Sequence, residues 1–332
     1  MGETTARCDS IVCRNWVRQL VLPIATFGIV AGVGVSAQAA EPSVQARIRM
    51  VKPRRATWQT GVIVRGRGAP VTGIVATLPV PMRWPEQDVQ QTGIESSPAV
   101  RSVRFRELDH GVRQMVVTIP RLGANEQAEA IVTLRITKRD VVSPARTADL
   151  RVPHRVSRSI LKFTRPSPYI DSQDTKIQEL ARQLIVGHDT AWGQVEAIYD
   201  WVRARVEYRF AKQIKSSRQA LDDGYGDCEE LSSLIIAMCR DIHVPARLVW
   251  VPGHCYPEFY LEDKTGKGFW FPCQAAGTRS FGGISEARPI LQKGDNFQVP
   301  GSRQPQRYVH EALAAKNAPI PPAVQFIRRQ LK

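Results

Sequence analysis

The chain has 332 residues, 43% of them hydrophobic and 23% charged, enough for two domains and a sizeable core. Its six cysteines are too few for a disulfide scaffold. A formal charge of +15 favours contact with an anionic cell-surface component or an acidic protein, but the Lys and Arg residues are scattered. No nucleic-acid-binding module is visible, so nucleic acid is not an expected partner.

In chain order, Arg7, Arg14 and Arg18 precede an apolar run from Leu20 to Val35, followed by Ser36-Ala37-Gln38-Ala39-Ala40. A basic segment, an apolar stretch of this length and an A-x-A site are the parts of a secretory signal peptide. Residues 1–39 are therefore expected to be removed on export to the periplasm, the cell envelope or the medium. The run is short for a spanning helix, which needs about 20 apolar residues. No stable membrane insertion is expected after cleavage; an uncleaved anchor is the alternative.

Residues 40–150 read as a β-sandwich-like accessory domain. Val62-Ile63-Val64, Gly73–Leu78, Val116–Ile119 and Ala130–Ile136 are short β-branched runs separated by Gly, Pro and Asn-rich breaks. His110 stands alone and reads as a loop residue. Around 143–155 the chain turns basic and carries Pro144 and Pro153, the composition of a linker.

The period then changes. Ile177, Leu180, Ala181, Leu184 and Ile185 recur at helical spacing, and Gly187 suits a C-cap. Asp189 or Thr190 can cap a second helix with Val195, Ile198, Trp201, Val202 and Val206 on its apolar stripe. Asp227, with Glu230 three positions on, has the spacing of a capping box opening a third helix, and Cys228 is its first residue. There the unpaired N–H groups and the helix dipole favour a thiolate. A cysteine at a helix start is equally compatible with a small buried hydrophobe.

Two aromatic strand-like runs follow, His254–Leu261 and Lys267–Gln274, around the polar loop Glu262–Gly266. With Leu261 opposite Lys267, His254 faces Gln274 and Cys255 faces Cys273. Alternation then puts the His–Gln pair on one face and the two cysteines on the other. A Cys255–Cys273 bridge is conceivable in an oxidising compartment, though opposed strand residues often have poor disulfide geometry. Zinc is disfavoured because there is no C-x₂₋₄-C spacing and the faces separate the ligands. No metal or cofactor is expected. Glu258 reads as a structural hydrogen-bond partner, Cys239 as core, and the segment 289–297 as a rim of the site.

The order Tyr199-Asp200-Trp201-Val202, Ala220-Leu221, Gly226-Asp227-Cys228, Cys239-Arg240, Val244-Pro245-Ala246-Arg247 and His254-x-Tyr256-x-Glu258 resembles the transglutaminase-like superfamily. The motifs cover about 175–275 within a domain spanning 151–332. The resemblance implies an α+β, papain-like fold in which a Cys-bearing helix packs on an antiparallel sheet. It also implies Cys228 as nucleophile and His254 as base and acid. The family's third residue is usually Asp in W-x-P-x-D; here Trp270-Phe271-Pro272-Cys273-Gln274 puts Gln274 in that place. Its carbonyl oxygen can orient the imidazole but cannot compensate its charge. The expectation is a thiol enzyme attacking an amide or peptide bond of a protein or peptide substrate, more readily with water than with an amine as acceptor. A protein-crosslinking transglutaminase and a binding module with a decayed centre are the alternatives.

Overall fold

The computed structural model describes residues 48–210 and 212–331, so the signal-peptide segment lies outside the described residues. Six strands come first among the described residues: β1 (Arg49–Arg65), β2 (Val71–Val80), β3 (Gln87–Ser96), β4 (Ser102–Leu108), β5 (Val112–Leu122) and β6 (Gln127–Val142). Four helices follow, α1 (Arg158–Leu161), α2 (Thr175–Leu184), α3 (Ala191–Arg205) and, after β7 (Glu207–Tyr208), α4 (Ser217–Asp223). Strand β8 (Tyr225–Gly226) leads into α5 (Cys228–Asp241). Then come β9 (Ala246–Val251), β10 (His254–Glu262), β11 (Gly268–Pro272), β12 (Gln292–Lys293), β13 (Ala312–Ala314) and β14 (Ala323–Leu331).

One sheet has the order β14-β1-β6-β3; a second runs β11-β10-β9-β12-β5-β2-β13, with β4 added alongside β5; β7 and β8 form a third, two-stranded one. Val62 and Val64 of β1, Ile74, Ala76 and Leu78 of β2, and Val117 and Ile119 of β5 are fully buried between them. Their i, i+2 spacing is what a strand needs to bury one face. The second sheet is continuous from the early strands to the late hairpin, because β12 pairs with both β5 and β9. The last strand, β14, returns to pair with β1.

Helix α5 lies against β9 and β10 on one side and α2, α3 and α4 on the other, which is why its residues from Glu230 to Arg240 are all buried. This is the α+β arrangement, a Cys-bearing helix on an antiparallel sheet. Helices α2 and α3 start on side-chain caps: Asp174 accepts from Lys176 and Ile177 N–H, and Thr190, one of the two caps expected for its helix, from Gly193 N–H. At α5, Asp227 accepts from Glu229 N–H at 2.7 Å while Glu230 returns a bond to Asp227 N–H at 2.9 Å. The C-terminal end of α5 is tied down by Arg240, whose guanidinium meets Asp295 and the Ala246 carbonyl with both charged side chains fully buried.

The β10–β11 hairpin corrects the expected register by two residues. Leu261 pairs with Phe269 and Glu258 with Pro272. The cause is Asp263. Its side chain accepts from the N–H groups of Thr265 and Lys267, and its own N–H bonds to the Lys267 carbonyl. The loop therefore shrinks to Lys264-Thr265-Gly266, with Gly266 at φ 79°, the left-handed position such a three-residue loop requires. Because the shift is two residues, every side chain keeps its face. Cys273 now lies beside Pro257 rather than Cys255, and Cys228, Cys239, Cys255 and Cys273 are all free thiols. Among the described residues no helix is long and apolar enough to cross a membrane.

Candidate active site

Cys228, His254 and Gln274 come from three separate pieces of the fold. Cys228 is the partly exposed first residue of α5. His254 opens β10 directly after the tight turn Pro252-Gly253, where Gly253 takes φ 69° and lets Val251 pair with His254. Gln274 follows β11, outside the ladder, and its Oε1 lies 3.0 Å from His254 Nε2. With that nitrogen engaged, Nδ1 is the ring atom left to face Cys228.

The electrostatics favour an ion pair. The Cys228 thiol is pulled down to about 4, first by a hydrogen bond from Cys255, against the opposing effect of burial, and then by His254. For His254 burial is the largest influence and works against charging. Hydrogen bonds to Cys228 and Gln274, with the thiolate's charge, outweigh it and leave the imidazole above its ordinary value.

Cys255 was expected to stand apart from the site. It does lie on the opposite strand face from His254, but that face is the one α5 covers. Its thiol approaches the Cys228 carbonyl at 3.6 Å. Burial comes first in holding Cys255 far above its usual range, so it stays protonated and can donate. Sequence spacing fixes which face Cys255 takes, but not how far along the strand α5 begins, so this contact was not legible in it.

Two further residues emerge from the motif around Tyr199. The Tyr199 hydroxyl donates to the Gln274 carbonyl at 2.9 Å and accepts from Ser280 N–H at 3.0 Å. Arg203, one helical turn on, donates to the carbonyls of Gln274 and Ala275 at 2.9 Å each. Helix α3 thus fixes the backbone that carries Gln274. Burial is the main reason the Tyr199 hydroxyl is pushed up to about 12, so it remains a donor.

The other expectations sort cleanly. Glu258 is buried and paired with Arg247 at 2.6 Å and Lys293 at 2.9 Å, a structural role. Cys239 is wholly buried. The 289–297 segment does not form a rim: Gln292 and Lys293 sit inside the sheet, and Asp295 is buried on Arg240. A cleft of about 620 Å³ opens over Cys228 and His254, and residues from 208–214 and 305–311 border it instead.

Residues 178–275 match the family model of the Transglutaminase-like superfamily. Among solved structures, a candidate cysteine protease from Cytophaga hutchinsonii aligns with a TM-score of 0.58 at 17% identity, covering 86% of this chain and 93% of its own. The likeness is one of fold. The periplasmic domain of TgpA from Pseudomonas aeruginosa aligns with a TM-score of 0.32 at 12% identity, covering 66% of this chain and 87% of its own. No curated protein matches the chain.

Proposed function

We propose that this chain is an exported cysteine-dependent hydrolase that cleaves an amide or peptide bond through a Cys228 thioester. One observation carries the reading: a depressed helix-start thiol lies beside a histidine that Gln274 holds at 3.0 Å. The Cys228 thiolate attacks the carbonyl carbon, and in this reading the backbone N–H of Cys228 donates to the oxyanion that forms. The His254 imidazolium then gives its proton to the leaving amine, the C–N bond breaks and the thioester remains. Neutral His254 next takes a proton from water, the hydroxide adds to the thioester, and the acid product leaves with Cys228 restored as thiolate.

Gln274 orients the ring through its carbonyl oxygen, as neutral Asn does in papain-like proteases. Hydrolysis is preferred to amine transfer because water has unconditional access, whereas transfer needs a dedicated amine site. The export reading rests on the basic, apolar and A-x-A segments of residues 1–39.

Iodoacetamide labelling near neutral pH, read by mass spectrometry, tests the centre. Cys228 should be alkylated in preference to Cys239, Cys255 and Cys273, and His254→Ala should abolish that preference. Absent or indiscriminate labelling would leave a decayed binding module as the better account. Incorporation of a fluorescent amine into a glutamine-rich protein would shift the reading to a crosslinking transglutaminase.

A further inference from the structure

The cleft over Cys228 is lined by two chemically different sets of side chains. One set is Tyr169, Tyr208, Phe210 and Ile214, which are 43%, 56%, 74% and 47% exposed. They are four of the large hydrophobic side chains that the fold leaves in water, gathered at one cleft. Exposed hydrophobics scattered singly need no explanation; a group bordering a polar reaction centre does.

Two of the four are held in place by the backbone. Strand β7 pairs in parallel with β8, so that Tyr208 stands opposite Gly226, two residues before the thiol. Bonds from Glu207 N–H to Gly224 O at 2.9 Å and from Arg209 N–H to Gly226 O at 2.8 Å fix it from both sides. Tyr169 has φ 68°, a left-handed conformation that a bulky L-residue rarely adopts. It persists because Ser217 N–H bonds the Tyr169 carbonyl at 2.9 Å, while Arg307 lies 5.5 Å over the ring. Such strain concentrates where a side chain must be aimed.

The charged side chains of the cleft include matched pairs, one of them beside the Tyr169 ring. Arg307 meets Glu229 at 3.0 Å, and Arg328 pairs with Glu311. The pairs offer a substrate little net charge, so the unbalanced feature of the cleft is its apolar side.

Resting on the thiol-enzyme reading above, we infer that Tyr169, Tyr208, Phe210 and Ile214 form a subsite for a bulky apolar or aromatic side chain of a polypeptide substrate, within about two residues of the carbonyl that Cys228 attacks. A cleft of about 620 Å³ accommodates such a side chain together with the backbone that joins it to the carbonyl.

Peptidyl halomethyl ketones test this without requiring turnover. Probes carrying Phe, Leu, Ala, Asp or Lys at each of the two positions flanking the reactive group are compared by their rate of Cys228 alkylation. Each rate is normalised to iodoacetamide labelling of the same protein. At one position the Phe and Leu probes should react at least about tenfold faster than the Asp, Lys and Ala probes, the scale expected of a hydrophobic pocket. Phe210→Asp and Ile214→Asp, both at exposed positions, should each erase most of that advantage, and Phe210→Leu should keep it. Equal rates for all probes would overturn the subsite. So would preference for Asp, which Arg307 could accept, or an apolar preference unmoved by both variants. Apolar preference in labelling without peptide hydrolysis would uphold the subsite and defeat the hydrolase reading; hydrolysis without side-chain preference would do the reverse. Failure of every probe to reach Cys228 would remove both.

Discussion

The largest influence lowering the Cys228 thiol is a neighbour that carries no charge. Cys255, kept neutral by its own burial, is a thiol donor beside Cys228 and brings in no competing base. A hydrogen bond to a charged group contributes about 1.5–3 kcal/mol, and each pH unit corresponds to about 1.4 kcal/mol. Cys255→Ala should therefore raise the acid limb of Cys228 alkylation by about one to two pH units, as the rate against pH will show. On the proposed mechanism the reactive pair needs Cys228 ionised and His254 protonated. Activity should thus rise as pH passes about 4 and fall only above the ordinary histidine value of about 6.5, because His254 is raised. At the third position, Gln274→Ala should cut kcat by about ten- to a hundredfold, whereas Gln274→Asp should preserve or raise it. No effect from Gln274→Ala would show that another group orients His254.

At the scale of elements, α5 must hold its first residue against β10, and it is clamped at both ends. The capping box of Asp227 and Glu230 fixes the start. The buried pair of Arg240 and Asp295 fixes the end, joining the helix to the strand at Leu248 and the segment after β12. Removing one partner strands a buried charge, which costs about 3–5 kcal/mol. Arg240→Ala or Asp295→Ala should lower stability by that amount in urea titrations, with a smaller effect from exposed pairs such as Arg279 with Asp200. The capping pattern, the apolar stripes and the strand alternation were legible in the sequence because each depends on residues a few positions apart. The hairpin register was not. It was decided by Asp263 accepting from two N–H groups of its own loop, a competition that apolar alternation does not reveal.

In the whole molecule, one sheet passes from the early strands into the hairpin that carries His254. A buried ion cluster crosses the same junction. Lys293 of β12 bonds Glu86 at 2.7 Å and Glu258 at 2.9 Å. For Glu86 burial opposes ionisation, but the charges of Lys293 and Lys138 hold it below the usual carboxylate range. Segments 40–150 and 151–332 should therefore unfold in a single calorimetric transition, which Lys293→Met should lower as one. Two separate transitions would mean that the halves are stable alone.

The helix that starts at Cys228 and the β-rich first half were legible in the sequence, because they rest on local spacing, caps and strand alternation. His254 and Gln274 were expected to oppose each other across the ladder and do not; a slip of two keeps parity, and a side-chain hydrogen bond of 3.0 Å still joins them. The long-range fold set the rest: Cys255 against the first turn of α5, Tyr199 and Arg203 on the backbone of Gln274, and a cleft bordered by Tyr208, Phe210, Ile214 and residues from 305–311 rather than 289–297. Those relations join residues far apart in the chain, and they exist only once helix α5 has settled on one particular face of the sheet.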